Sequence, residues 1–181
     1  MNYKPIIIVA GEPFSIFIEI FFKALKKNKF KNPIILIVSK NLMIKQMKSL
    51  KISHKFFLID KDNFDYTKLS NVKPNVIDVD FIFKQPFEKI TKKSNKYISK
   101  CFSIASGLIK KNKCAGLING PISKENFLSG NFLGITEYLA IKNNKKDKVA
   151  MLIYNKKLSA SPITTHLALK DVHKNISKKK L

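Results

Sequence analysis

Short runs of apolar residues recur along the chain and predict five β-strands. The predicted strands are Ile6–Ala10, Pro33–Val38, Phe56–Ile59, Asn75–Asp80 and Ala115–Ile118. Most of these runs are continuous and rich in β-branched residues, without alternating polar positions. That pattern is typical of strands whose two faces are both buried in a parallel sheet. The sequence therefore predicts a sheet that is covered by helices on both sides.

Longer segments with helical spacing separate these runs. They predict helices from the residues after Pro13 to about Lys27, from about Asn41 to Leu50, and from Ile90 to Asn112. The predicted buried face of the first helix consists of Ile16, Ile20, Phe21 and Ala24. In the longest helix, three- and four-residue steps predict one buried stripe made of Tyr97, Ile98, Cys101, Ala105, Leu108 and Ile109. Alternating strands and helices predict an α/β fold with a largely parallel sheet and flanking helices.

The C-terminal part of the chain predicts three further elements. They are a short helix, Thr136–Ile141, and two strands, Val149–Tyr154 and Ser159–Thr164, joined by a turn near Asn155. A length of 181 residues suits one domain that buries most of its apolar surface.

A polar stretch follows the fifth predicted strand, where that strand ends in Asn119-Gly120-Pro121. Gly120 tolerates backbone conformations closed to other residues, and Pro121 lacks the N–H that would extend a ladder. Ser123 is placed to cap a short helix that stops at Gly130. Open α/β proteins bind ligands at the carboxyl ends of their strands, so this stretch is a candidate binding site.

The formal net charge of +23 has two interpretations. It can indicate binding to nucleic acid or to an anionic surface. However, all 35 basic residues are lysine, and they are scattered except for Lys178–Lys180. Recognition of bases and phosphates relies heavily on arginine, so this composition argues against dedicated nucleic-acid binding and favours a bias of AT-rich coding DNA.

The remaining composition predicts a soluble cytoplasmic protein. Cys101 and Cys114 lack C-x-x-C spacing and a disulfide-rich setting, which fits a reducing compartment. The first ten residues lack the pattern of a signal peptide. The apolar segment Phe14–Leu25 is interrupted by charges and is too short to span a bilayer.

Four sequence blocks follow one another along the chain: Gly11-Glu12-Pro13 with Glu19 behind it, G-P-I-S-K-E from Gly120, G-I-T-E-Y-L-A from Gly134, and T-T-H-L-A-L-K-D-V from Thr164. In this order they resemble the 4-hydroxythreonine-4-phosphate dehydrogenase family of pyridoxal phosphate biosynthesis. The resemblance implies part of an isocitrate/isopropylmalate dehydrogenase-like architecture. It also implies NAD(P)-dependent oxidation of 4-phosphooxy-L-threonine followed by decarboxylation.

The resemblance also implies roles for individual residues. Lys124 and Thr136 match substrate-binding positions, and His166 matches one of three histidine ligands to a divalent metal, which could be zinc, magnesium or cobalt. The metal would polarise the substrate hydroxyl, and NAD or NADP would accept the hydride. Glu12 matches the acidic residue of the opening motif and is expected to order its loop. No residue is assigned as the catalytic base.

The chain departs from the family pattern in two ways. Ile135 stands where the family has a substrate-contacting histidine, and its side chain cannot hydrogen-bond. The other two metal-binding histidines belong to the family's C-terminal half, and neither His54 nor His173 matches their context. Residues 1–181 are therefore expected to be an N-terminal portion that is inactive alone. Expected partners are a small phosphorylated amino acid and either a second copy or a separately encoded C-terminal half. The alternative is a basic, non-catalytic module that binds RNA or anionic surfaces.

Overall fold

A computed structural model describes residues 3–130, 132, 134–146, 148–165 and 167–177. The chain divides into two compact units, Met1–Phe127 and Leu128–Leu181. The first unit contains a parallel sheet whose strands are β1 (Ile6–Val9), β2 (Ile34–Val38), β3 (Phe57–Leu58), β4 (Asn75–Asp78) and β5 (Gly116–Asn119). Their order is β3-β4-β2-β1-β5. The predicted α/β class and the five predicted strands are confirmed.

Three helices in this unit contact the sheet or each other: α1 (Phe17–Lys27), α2 (Lys40–Ser49) and α3 (Asn95–Lys110). Ile8, Leu36 and Val76 belong to one buried cluster with side chains of α1 and α2. Because successive strand residues point to opposite faces, Ile7 and Ile35 face the other side, where α3 packs against β1, β2 and β5. Both faces of the central strands are therefore covered, as their continuous apolar runs predict.

The predicted buried face of α1 is confirmed at Phe21 and wrong at Ile16 and Ile20. The helix buries Phe17, Ile18, Phe21 and Phe22, whereas Ile16 and Ile20 are 63% and 52% exposed. The rings of Phe17 and Phe21 stack with centroids 5.7 Å apart. A face that carries three phenylalanines removes more apolar area from water than one built on two isoleucines, so the helix turns its aromatic side inward.

α3 is shorter than predicted, because a 3₁₀ turn, Lys92–Ser94, precedes it. Its stripe is confirmed from Tyr97 to Leu108, but Ile109 is 39% exposed. Phe102 takes its place in the core, packed near the Phe127 ring at a centroid distance of 6.2 Å.

The second unit contains α4 (Ile135–Lys142) and the short α5 (Leu169–Val172). The two strands predicted in this part are wrong. Ile153 and Ala160 form an isolated antiparallel bridge, and the Asn155 N–H donates to the Leu158 carbonyl across the predicted turn. The side chains on either side of this turn are exposed, and a lone pair of strands without a covering face is marginal in water.

Across the residues the structure describes, no helix combines the length and apolar character needed to cross a bilayer.

Candidate functional site

The carboxyl ends of β1 and β5 form a topological switch point. From β1 the chain proceeds through β2 towards β4 and β3 on one side, and later places β5 on the other side. In open parallel sheets the loops that leave two such strands diverge, and the crevice between them is where ligands bind. In this chain those loops are Ala10–Ser15 after β1 and Gly120–Ser123 after β5.

Two glycines allow these loops to approach each other closely. Gly11 has a φ of +78°, and a Cβ added to it would lie 2.4 Å from the Pro121 carbonyl oxygen. A Cβ on Gly120 would lie 2.1 Å from the Ala10 carbonyl oxygen and 2.7 Å from the Phe17 ring. The Glu12 N–H donates to the Pro121 carbonyl at 2.8 Å. The two motifs singled out in the sequence are therefore joined backbone to backbone.

Glu12 is the most unusual group at this edge. Its side chain is 2% exposed, and neither carboxyl oxygen has a hydrogen-bond partner among the described residues. Burial raises the pKa of Glu12, and the nearby Ser94 hydroxyl opposes that shift only in part. The Ser94 hydroxyl itself donates to the Thr91 carbonyl at 2.9 Å. A buried carboxylate without partners is costly, so the carboxyl favours its neutral form.

Gln46 on α2 is a site-supporting residue that the sequence analysis missed. It is 1% exposed, and its amide donates to the carbonyls of Pro13 and Pro86 at 2.8 and 2.9 Å. It thereby ties the loop after β1 to the loop before α3. The available signal was its position beside Leu42, Met43 and Met47 on the buried face of the helix, where a polar residue needs hydrogen-bond partners.

Lys124 begins the turn that follows β5. The residues Lys124–Leu128 form one π-helical turn, and Asn126 donates to the Ser123 hydroxyl oxygen from its backbone N–H at 3.2 Å. The predicted cap at Ser123 is confirmed. The side-chain amide of Asn95, at the start of α3, donates to the Asn126 carbonyl at 2.8 Å and holds the turn in place. Lys124 itself is exposed next to the switch point.

Thr136 lies in the first turn of α4, in the second unit, and is half-buried. The neighbouring Glu137 has a buried Oε2 without a hydrogen-bond partner among the described residues. His166 falls outside the described residues, as does any contact it makes. The convergence of Lys124, Thr136 and His166 in one cleft therefore stays a prediction.

The first unit has a second concavity at the carboxyl end of β4, with a volume of about 440 Å³. Its lining combines four lysines with two carboxylates and three aromatic rings: Lys84, Lys93, Lys96, Lys100, Asp80, Glu88, Phe81, Phe83 and Tyr97. Tyr97 is buried and its hydroxyl accepts from the Ser39 N–H at 2.9 Å. This combination of positive charge and aromatic surface suits an anionic partner.

No cluster of three or more histidine, cysteine or carboxylate side chains that could hold a metal occurs among the described residues. Cys101 is buried, and burial raises its pKa to about 12, which keeps the thiol protonated. A catalytic divalent site usually takes three protein ligands. The described residues of this chain therefore do not by themselves fit the metal that the sequence resemblance implies.

Comparison with known proteins identifies one matching family model and several relatives of related names. The family model for the pyridoxal phosphate biosynthetic protein PdxA matches residues 29–181. A 4-hydroxythreonine-4-phosphate dehydrogenase from Sulfurihydrogenibium sp. is 32% identical over 96% of this chain and 53% of its own length. A D-threonate 4-phosphate dehydrogenase from Salmonella typhimurium is 25% identical over 94% of this chain and 53% of its own length.

A solved structure gives the same picture of the fold. A 4-hydroxythreonine-4-phosphate dehydrogenase from Burkholderia phymatum superposes with a TM-score of 0.78 at 21% identity. The match covers 99% of this chain and 55% of that one, and at this identity it supports the fold alone. The chain spans about half the length of the curated relatives it matches.

Proposed function

We propose that this chain, which belongs to the pyridoxal phosphate biosynthetic protein PdxA family, supplies the N-terminal half of an NAD(P)-dependent dehydrogenase. The proposed reaction oxidises the secondary hydroxyl of 4-phosphooxy-L-threonine to a ketone, transfers a hydride to NAD or NADP, and ends in decarboxylation. The observation that carries this proposal is the family match over residues 29–181. The glycine-built switch point is supporting evidence, since the loop after β5, which lies within the matched residues, is at an edge of the sheet where this fold class binds ligands.

The proposed substrate is a four-carbon acid with a phosphate on C4 and a hydroxyl on C3. That description covers both 4-hydroxythreonine 4-phosphate and D-threonate 4-phosphate, the compounds named for two of the relatives. The two differ at C2, which carries an amine in the first and a hydroxyl in the second. Activity assays should therefore include both compounds.

Lys124 and Thr136 are the proposed substrate-binding residues. The Lys124 ammonium is exposed beside the switch point and can pair with a carboxylate or a phosphate. The Thr136 hydroxyl can donate a hydrogen bond to substrate from the first turn of α4. His166 is the proposed contribution to a divalent metal site. No cluster of three such ligands occurs among the described residues, so we propose that the remaining ligands come from the family's C-terminal half, and no catalytic step is assigned to the metal.

The test compares the chain alone with a fusion. In the fusion, Leu181 is followed by the C-terminal half of the Sulfurihydrogenibium relative. Reduced nicotinamide is measured with each substrate, NAD or NADP, and zinc, magnesium or cobalt. We expect no turnover from the chain alone and metal-dependent turnover from the fusion. His166→Ala should abolish that turnover, because it removes a metal ligand.

Lys124→Ala in the fusion provides a finer test of substrate binding. Loss of one charge-assisted hydrogen bond typically costs about 1.5–3 kcal/mol, so the KM for substrate should rise at least tenfold. Lys55→Ala, at an exposed position on the chain between α2 and β3, is the matched control and should leave KM unchanged. Metal-dependent turnover by the chain alone would contradict the split of function between two halves. An inactive but folded fusion would contradict the proposed reaction.

The alternative function is binding of RNA or an anionic surface without catalysis. The observation that favours it is the concavity beside β4 with its four lysines. Affinity for an RNA oligonucleotide should then fall steeply with salt, and Lys93→Ala, Lys96→Ala and Lys100→Ala together should reduce it. The same three substitutions would leave turnover of the fusion unchanged.

A further inference from the structure

A concavity with a volume of about 610 Å³ lies at the amino ends of β2 and β4, at the edge of the sheet opposite the candidate site. One wall is the C-terminal end of α1 with the residues that follow it, and the other is the loop before β4. Its volume falls in the range of pockets that hold small molecules. The proposed dehydrogenase reaction gives these residues no role, so the concavity is a candidate for a second binding site.

Among the described residues, four lysines and no carboxylate line this concavity. Lysines make up four of its eleven lining residues, against 35 of the 181 residues of the whole chain. They are Lys26, Lys27, Lys29 and Lys73. None of them forms a salt bridge with another described residue. The concavity beside β4, by contrast, contains two carboxylates. Positive charge that no local carboxylate neutralises attracts an anionic ligand.

Hydrogen bonds hold the wall before β4 in shape. Asn75 is 2% exposed, and its side-chain amide donates to the carbonyls of Ile34 and Ser70 at 3.0 and 2.9 Å. The Ser70 hydroxyl oxygen accepts from the N–H groups of Val72 and Lys73 at 3.2 and 3.0 Å. This network fixes the loop against the start of β2. A wall that is ordered before binding lowers the entropic cost of holding a ligand.

The same concavity also offers groups that recognise a nucleoside. Phe30 is 42% exposed and lines the concavity, and an exposed aromatic ring can stack on a base. The side-chain amides of Asn28 and Asn71 lie in the lining and can hydrogen-bond a base edge or a ribose. The Asn28 Nδ2 donates to the Ala24 carbonyl at 3.0 Å, which orients its amide. An inorganic anion would use the lysines but not these groups.

We propose that this concavity binds a nucleoside polyphosphate, with the phosphates on the lysines and the base against Phe30. A free nucleotide fits better than RNA, because the two walls enclose a space of small-molecule size. The site is not catalytic, since it lies at the opposite edge of the sheet from the loops after β1 and β5. The inference is independent of the proposed dehydrogenase reaction.

Calorimetric titration of the 181-residue chain with ATP tests the proposal. The titration is run at physiological salt with EDTA, so that no divalent metal takes part. Adenosine and tripolyphosphate are the two comparison ligands, and each carries only one half of the proposed recognition. We expect ATP to bind at least tenfold more tightly than either. Absence of ATP binding, or tripolyphosphate that binds as tightly as ATP, would overturn the proposal.

A charge-matched pair of variants tests the location. Lys26→Gln, Lys27→Gln and Lys29→Gln together remove three positive charges from the concavity and should weaken ATP binding at least tenfold. Lys45→Gln, Lys48→Gln and Lys55→Gln remove the same charge from exposed positions that do not line it. This control should change the affinity less than twofold. Equal weakening in the two variants would indicate attraction by net charge alone and would overturn the proposal.

Phe30→Leu separates base recognition from phosphate recognition. It keeps an apolar side chain but removes the ring, so the affinity for ATP should fall about fivefold while that for tripolyphosphate is unchanged. Unchanged ATP affinity in this variant would contradict the placement of the base. Displacement of ATP by an RNA oligonucleotide at a lower concentration of phosphate groups would show that the site prefers a polymer, and it would overturn the choice of a free nucleotide.

Discussion

Gly120 shows how a single residue sets the geometry of the switch point. It leaves no room for a side chain, because a Cβ would collide with the Ala10 carbonyl and the Phe17 ring. Gly120→Ala must therefore push β1 and β5 apart at their carboxyl ends. We expect a loss of about 2–3 kcal/mol in the free energy of unfolding, measured by urea denaturation.

Gly107→Ala is the matched control for that substitution. It lies inside α3 and a Cβ there meets nothing within 4 Å. Replacing a helical glycine in open space should raise stability by about 0.5–1 kcal/mol. A loss of stability in Gly120→Ala together with a gain in Gly107→Ala would confirm that the steric contact of the added Cβ, and not glycine replacement in general, decides the outcome. A Gly120→Ala variant with an unchanged free energy of unfolding would contradict the close approach of the two loops.

Glu12 provides a pH-dependent prediction. Its pKa is raised above the ordinary value of 4.5, so the folded state binds its proton more tightly than the unfolded chain does. Below pH 4.5 the protonated Glu12 contributes its full share to the free energy of unfolding. It is lost as the pH rises from there through the raised pKa. Glu12→Gln stays neutral, so we expect the variant to become progressively more stable than the wild type across that window.

Urea midpoints measured across the acidic and neutral range check this prediction. Glu125→Gln, at an exposed position in the turn after β5, is the control and should follow the wild-type curve. Hydrogen bonds lower the pKa values of Asp60, Asp65 and Glu88, so the stability these groups contribute changes with pH in the opposite direction. Subtracting the wild-type stability from that of each variant at every pH removes these shared contributions and leaves the effect of one carboxyl. A Glu12→Gln curve parallel to that of the wild type would show that folding does not raise the pKa of Glu12.

At the scale of elements, α2 holds two loops together through the side chain of one residue. Gln46 satisfies the carbonyls of two proline residues in separate loops. Gln46→Met keeps the volume but leaves both carbonyls without this donor. We expect a loss of about 1–3 kcal/mol in urea denaturation and faster proteolysis of the loop before α3. Lys45→Met, on the exposed side of the same helix, should change neither measurement.

The sequence predicts elements better than it predicts faces. The β-branched runs of β1 and β2 leave little choice of structure, and the other three strands were predicted from apolar runs of less uniform composition. Ile16 and Ile20 were wrongly placed on the buried face of α1, because they and Ala24 have helical spacing as good as that of the phenylalanines. The decision between the two faces depends on how much area each can bury against β1, which requires the tertiary structure. Val149–Tyr154 also has a strand-like sequence, but among the described residues it forms only the isolated bridge between Ile153 and Ala160.

Some residues of the candidate site could be predicted from the sequence, and others could not. Ser123 could be identified because a capping residue has a local function that the sequence records. Gly120 was expected to supply an unusual backbone conformation, but its φ is not positive and the structure needs it for close approach to Ala10 and Phe17. The hydrogen bonds of Gln46 join residues more than 30 positions apart, and the burial of Glu12 is likewise set by the tertiary structure, so no local pattern encodes them. The roles of Lys124, Thr136 and His166 came from family resemblance and stay predictions.

At the scale of the whole molecule, the metal response should distinguish this chain from a complete enzyme. A metal that binds only the folded state at one hundred times its Kd raises stability by about 2.7 kcal/mol. The described residues offer no cluster of three ligands. Saturating magnesium, cobalt or zinc should therefore shift the Tm of the chain alone by less than about 1 °C, since no site captures that free energy. The fusion with a relative's C-terminal half should gain several degrees, and His166→Ala should remove that gain. A large metal-dependent shift in the chain alone would mean that its own side chains complete a site, and the proposed division of ligands between two halves would be wrong.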